Sequence, residues 1–122
     1  MRLLESGEMY LETILILSQK QNYVRAIDVG EYMGYSKPSV SRALANLREG
    51  GYVSVDTAGH LSLTESGLGI AEKIYERHQV LSTMLIQFGV SEDIAAIDAC
   101  KMEHDISDES FSAIKKHVES RE

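Results

Sequence analysis

Residues 25–63 read RAIDVGEYMGYSKPSVSRALANLREGGYVSVDTAGHLSL. Ala26 to Met33 predicts a short helix, closed by Gly34 as a C-cap type glycine. Ser36 follows as an N-cap. Pro38 then falls in the first turn of a second helix, where its missing N–H costs nothing. That helix runs to about Arg48 and stops at Gly50-Gly51. Its Val40, Leu44 and Leu47 recur at i, i+4 and i+7 and make its buried face. Tyr52 to Val55 and His60 to Leu63 alternate in polarity around the turn Asp56-Thr57-Ala58-Gly59, which predicts a β-hairpin. Helix, tight glycine turn, helix and hairpin is the order of a winged helix-turn-helix.

The flanks are helical. Leu3 to Gln19 is amphipathic, with Leu4, Leu11, Ile14, Leu15 and Leu17 near helical spacing. Gln21-Asn22 makes a turn. Beyond the hairpin, Thr64 with Glu65 and Ser66 opens a helix that runs toward Phe88 and ends at Gly89. Ser91 caps a helix from Glu92 to about His104, with two acids in its first turn, as the helix dipole prefers. Ser107 starts a last helix to about Val118. The expected fold is therefore mainly α with a small β-hairpin wing. A winged-helix domain occupies residues 1–63 and a helical domain residues 64–122.

A chain of 122 residues allows one or two small domains, and 43% hydrophobic residues suit a globular protein. No apolar run approaches the ~20 residues of a membrane-spanning helix. The N-terminus, with acids inside its apolar face, does not read as a signal peptide. The single cysteine, Cys100, excludes an intrachain disulfide framework. These features favour a reducing, cytoplasmic setting.

The net charge of −7 argues at first against a nucleic-acid partner. Its distribution reverses that reading. Residues 20–60 carry five bases and four acids, whereas residues 61–122 carry six bases and twelve acids. The acid thus lies mostly outside the segment suited to DNA. A local +1 gives only weak attraction, because non-specific affinity grows with the phosphates neutralised. Tight binding then calls for a dimer or for added positive charge. Ser36, Lys37, Pro38, Ser39, Ser41 and Arg42 open the second helix of the motif. Short hydroxyls there let a helix lie close in a major groove, and Lys and Arg contact phosphates or base edges. Arg25 and the wing residue His60 join them as candidate DNA contacts.

A second constellation lies in the acidic half. Cys100, Glu103 and His104 stand at i, i+3 and i+4, which on a helix point to one side. Thiolate, carboxylate and imidazole on one face make half of a transition-metal site. A buried cysteine beside a surface Glu-His pair explains the same spacing. Met9 and Glu12 stand at i, i+3 on the first helix, and His78 follows Glu76-Arg77.

Taken together, Glu8-Met9-Tyr10-Leu11, the Ser36-to-Arg42 helix start, Gly51-Tyr52-Val53, Leu63-Thr64-x-x-Gly67, Arg77-His78 and Cys100-x-x-Glu103-His104 with Ser107-Asp108-Glu109 resemble the diphtheria-toxin-repressor family of metal-dependent transcriptional repressors. The resemblance covers nearly the whole chain in order. It implies a helical dimerisation domain after the winged helix. It also implies a homodimer that binds operator DNA when loaded with divalent metal and represses metal-uptake genes. Met9, Cys100, Glu103 and His104 match the family's iron-type ligand positions, where manganese-type members carry acids in place of the Met and Cys. Glu12 matches the manganese type. Of the iron type's ancillary triad only His78 is kept, the other places being Ser82 and Ala96. A second metal on Glu12 and His78, sharing Glu103, suits this pattern. No third, SH3-like domain is expected in a chain ending at Glu122. One ion bound by residues of both domains would tie them together and select the arrangement that reads DNA.

Soft thioether and thiolate donors favour Fe(II), Co(II), Ni(II) or Zn(II) over Mn(II). The expected cofactor is Fe(II), with Mn(II) as the alternative. A winged-helix redox sensor using Cys100 is a rival reading, since Lys101 and His104 offer the basic neighbours a reactive thiol needs. A metalloenzyme has less support, because the chain lacks a glycine-rich phosphate loop and a spare general base. A DNA-free interaction module is opposed by Lys37 and Arg42.

Overall fold

The computed structural model describes residues 5–121. Six helices and one hairpin follow in the order α1 (Glu5–Lys20), α2 (Ala26–Met33), α3 (Lys37–Glu49), β1 (Val53–Val55), β2 (Leu61–Leu63), α4 (Glu65–Gln87), α5 (Glu92–Met102) and α6 (Asp108–Ser120). Leu3 and Leu4, placed on the first helix by their spacing, lie outside the described residues. The chain divides into two compact units, Met1–Glu72 and Lys73–Glu122.

In the first unit, α1 buries Leu11, Ile14, Leu15 and Leu17. Asp28 secures the start of α2 by accepting from the Arg25 backbone N–H at 2.9 Å and from Gln21 Nε2 at 3.1 Å. Gly34 closes α2 at φ 74°, a left-handed conformation that favours glycine. Its N–H returns to the Gly30 carbonyl. Ser36 caps α3 by accepting from the Ser39 N–H, and Pro38 sits in the first turn. Val40, Leu44 and Leu47 are buried, as their spacing requires.

The hairpin pairs Val53 with Leu63, Ser54 with Ser62 and Val55 with Leu61, antiparallel. Each strand begins one residue later than alternation suggests. The Tyr52 carbonyl instead accepts from the Thr64 N–H, and the His60 carbonyl accepts from the Asp56 N–H to close the wing loop. Asp56 Oδ1 accepts from the Ala58 and His60 amides, each at 2.9 Å. The Leu61 N–H donates to the Val24 carbonyl at 2.7 Å and so fastens the wing to the segment before α2.

In the second unit, Ile74, Leu81, Ala95, Ala99, Phe111 and Val118 are buried. Ser107 caps α6 by accepting from the Ser110 N–H at 3.1 Å. Ser91 holds the N-cap position of α5 with extended backbone, but its side chain makes no capping hydrogen bond. The acids Glu92 and Asp93 in the first turn complement that helix end instead.

The Leu63-Thr64-x-x-Gly67 run now has a physical reason. Thr64 Oγ1 donates to the Gly51 carbonyl at 2.7 Å and accepts from the Gly67 N–H at 3.2 Å. A Cβ on Gly67 would lie 2.1 Å from the Tyr52 carbonyl oxygen, inside any permitted contact. Gly69, on the same helix, has nothing within 4 Å of such a Cβ. Gly67→Ala is therefore expected to cost about 1–3 kcal/mol, as overpacking does. Gly69→Ala should be neutral or stabilise by up to about 1 kcal/mol, the helix-propensity gain. Urea melts of the two variants check this, and equal effects would contradict it.

Candidate metal centre and nucleic-acid interface

The second unit carries His78, Cys100, Glu103 and His104 of the metal candidate. The middle of α4 carries His78. Cys100 lies in the last turn of α5, half-buried. Helix α5 ends at Met102 rather than continuing to His104. Glu103 still keeps helical dihedrals (φ −63°, ψ −26°), and its N–H reaches the Ala99 carbonyl. Glu103 and His104 then sit at the start of the turn leading to α6.

The Glu103 side chain is 0% exposed and that of His104 is 1% exposed. Each carboxylate oxygen faces one imidazole. Glu103 Oε2 lies 2.9 Å from His78 Nδ1, and Oε1 lies 3.4 Å from His104 Nε2. Oε1 makes no hydrogen bond among the described residues. A buried carboxylate oxygen in that position is costly unless a cation or a donor meets it. Two imidazoles and a carboxylate are a donor set that divalent transition metals accept. His78 and Glu103, 2.9 Å apart, offer donors of the kind that the implied ion accepts. Such an ion, when bound, supplies positive charge to the buried carboxylate.

The candidate ligands on the other unit, Met9 and Glu12, both lie on α1. Met9 is half-buried and Glu12 is 8% exposed, a buried acid like Glu103.

Sequence reasoning noted Arg77 only as a neighbour of His78. Its side chain is buried, and Nη1 donates to the carbonyls of Glu103 at 3.2 Å and Ile106 at 2.7 Å. Nη2 pairs with the Asp108 carboxylate, which Lys73 Nζ also meets at 3.1 Å. The only sequence hint was a cation placed among the apolar positions of a helix.

On the first unit, Ser36, Lys37, Pro38, Ser41 and Arg42 are exposed at the start of α3, and Ser39 is half-buried. The Ser36 hydroxyl donates to Ser39 Oγ at 2.9 Å. Arg25 and His60, 35 residues apart, meet at 3.3 Å through Nη2 and Nε2. The His60 ring stacks on Tyr23 with centroids 4.3 Å apart, and its Nδ1 lies 3.2 Å from Asp56 Oδ2. The His60 backbone N–H, above all, holds the Asp56 carboxyl below its usual range. Tyr23 thus joins Asp56 in the wing assembly, a role of Tyr23 that the sequence did not disclose.

Two family models cover the chain. Residues 2–61 match the iron dependent repressor N-terminal DNA binding domain, and residues 64–122 match the iron dependent repressor metal binding and dimerisation domain. The chain belongs to the diphtheria-toxin-repressor family. An HTH-type transcriptional regulator of Methanocaldococcus jannaschii is 30% identical over 94% of this chain and 94% of its own length. The transcriptional regulator MntR of Escherichia coli O6:H1 is 33% identical over 87% of this chain and 68% of its own length. A manganese-dependent transcriptional repressor solved with manganese superposes with a TM-score of 0.85 at 28% identity, over 92% of this chain. This chain spans about half of that structure, 52%. The family comprises metal-dependent, DNA-binding transcriptional repressors rather than enzymes. Among the described residues, no helix is long and apolar enough to cross a membrane.

Asp108 provides a pH test of the second unit. Lys73, and then Arg77, hold its carboxyl below the ordinary value. A lowered folded pKa stabilises the fold above the unfolded value and loses that contribution as pH falls through the folded one. Thermal melts of the parent and Asp108→Asn should therefore differ at neutral pH and converge in acid. A difference that persists undiminished in acid would contradict the assignment.

Proposed function

We propose that this protein is a metal-responsive repressor that binds operator DNA as a homodimer when its buried Glu103 carboxylate and His78 hold a divalent ion. The observation that carries this reading is the buried Glu103 carboxylate set between two imidazoles. Met9, Glu12, Cys100 and His104 are proposed as further ligands, from the family pattern. Arg25, Ser36, Lys37, Pro38, Ser39, Ser41, Arg42 and His60 are proposed to contact DNA. The domains are proposed as residues 1–63 for DNA reading and 64–122 for metal binding and dimerisation, in a cytoplasmic protein.

The dimer is supported by exposed apolar side chains of the second unit. Ile86, Phe88, Ile94 and Ile97 are 43%, 67%, 50% and 52% exposed, apolar surface that a partner subunit would remove from water. A dimer places two recognition helices in successive major grooves, ~34 Å apart. It also offsets the weak local charge of each reading head. Metal acts by binding the DNA-competent state more tightly than the other.

Fe(II) is the first reading for the metal, on the soft donors Met9 and Cys100. Mn(II) is the second, favoured by the manganese-dependent relative described above and by the hard donors Glu12 and Glu103. The protein is read as controlling metal-uptake genes.

The test is anaerobic binding to duplexes selected from a random pool. Metal loading is expected to raise affinity about 5- to 150-fold, the usual range of a coupling free energy. Glu103→Gln should abolish the response to every metal. Cys100→Ala should blunt the Fe(II) or Co(II) response and keep the fold. A Cys100→Ala response that is unchanged, with Mn(II) the better activator, selects the second reading. Binding insensitive to a chelator would overturn both.

A further inference from the structure

Arg77 precedes His78 on α4, and its side chain is 6% exposed. Helix α5 ends at Met102, so the carbonyls of the following turn have no helical partner. Arg77 Nη1 supplies donors to two of them, Glu103 and Ile106, and Nη2 takes the carboxylate of Asp108, the first residue of α6. The Phe111 ring lies 5.4 Å from its Cζ. One planar cation thereby spans the whole connection from α5 to α6. Consecutive residues of α4 grip Glu103 twice, Arg77 by its backbone carbonyl and His78 by its carboxylate.

We propose that Arg77 is the positioning residue of the metal centre, fixing the Glu103 backbone so that its carboxylate meets the ion beside His78. The proposal rests on the reading of Glu103 as a ligand. Its physical basis is the geometry of the guanidinium. The placement of a buried carboxylate depends on the Cα that carries it, and here that Cα sits one residue past α5, its N–H on the Ala99 carbonyl and its own carbonyl taken by Arg77. A guanidinium holds several acceptors in one fixed plane, whereas an ammonium is a point charge that cannot reproduce that fork. Groups that orient metal ligands in this way typically contribute about 10- to 100-fold to metal affinity.

The test titrates the full chain with Co(II) under anaerobic conditions, reading affinity and the ligand-field absorption bands. Arg77→Lys is expected to weaken Co(II) binding by about 10- to 100-fold and to change the bands. Asp108→Asn, which keeps both carbonyl bonds of Arg77, should leave the bands unaltered. Wild-type affinity and bands in Arg77→Lys would overturn the proposal, as would a lowered melting temperature with wild-type bands. Unchanged binding in Glu103→Gln as well would instead remove the ligand assignment beneath it. Should Arg77→Lys fail to fold, hydrogen exchange of the unsubstituted metal-free chain decides. The Glu103 and Asp105 amides should exchange as slowly as those in the middle of α4, and exchange at free-peptide rates would overturn the proposal.

Discussion

A carboxylate with no exposure to water sets the terms for the second unit. Glu103 is enclosed between His78 and His104, with one oxygen left without a hydrogen bond among the described residues. Removing such a group from water costs several kcal/mol before any partner is counted. A well-packed apolar residue would fill the same space more cheaply. The arrangement makes physical sense as one held ready for a cation, with Arg77 fixing the turn that carries it.

The first unit solves a different problem. Its reading head has little net positive charge to draw it to DNA, so geometry must do more. The wing is fastened by the Leu61–Val24 backbone bond and by the contacts of His60 with Tyr23, Asp56 and Arg25. Thr64 and Gly67 lock the start of α4 against the Gly51-Tyr52 backbone. Those contacts bring the candidate DNA-contacting residues Arg25 and His60, 35 residues apart in sequence, together. Metal loading adds positive charge to a chain of net −7.

The fold was largely legible because its signals are local. Gly34, Ser36 with Pro38 and the alternating hairpin each act within a few residues, and each gives the element expected of it. The spacing of Cys100, Glu103 and His104 was also readable, since it depends only on helical period. What spacing could not give was burial. Nothing in the sequence distinguishes a carboxylate on a wet surface from one sealed between imidazoles. Arg77 and the Tyr23–His60 stack were missed for a related reason. Their roles arise from contacts between segments 26 to 37 residues apart, for which a single sequence carries no periodic signal. The choice between iron and manganese depends on donors that the pattern assigns to both branches: Met9 and Cys100 on one side, Glu12 on the other.

Glu103 and His78 are proposed to hold a divalent ion. X-ray absorption at the metal of anaerobically loaded protein tests it most directly, together with metal content per chain. The account predicts at least one ion per chain, with imidazole scattering and oxygen in its shell. A sulfur neighbour at about 2.3 Å, the usual metal–thiolate distance, would mark Cys100 as a ligand. A stoichiometric ion whose shell shows no imidazole, or equal metal content in Glu103→Gln, would contradict it.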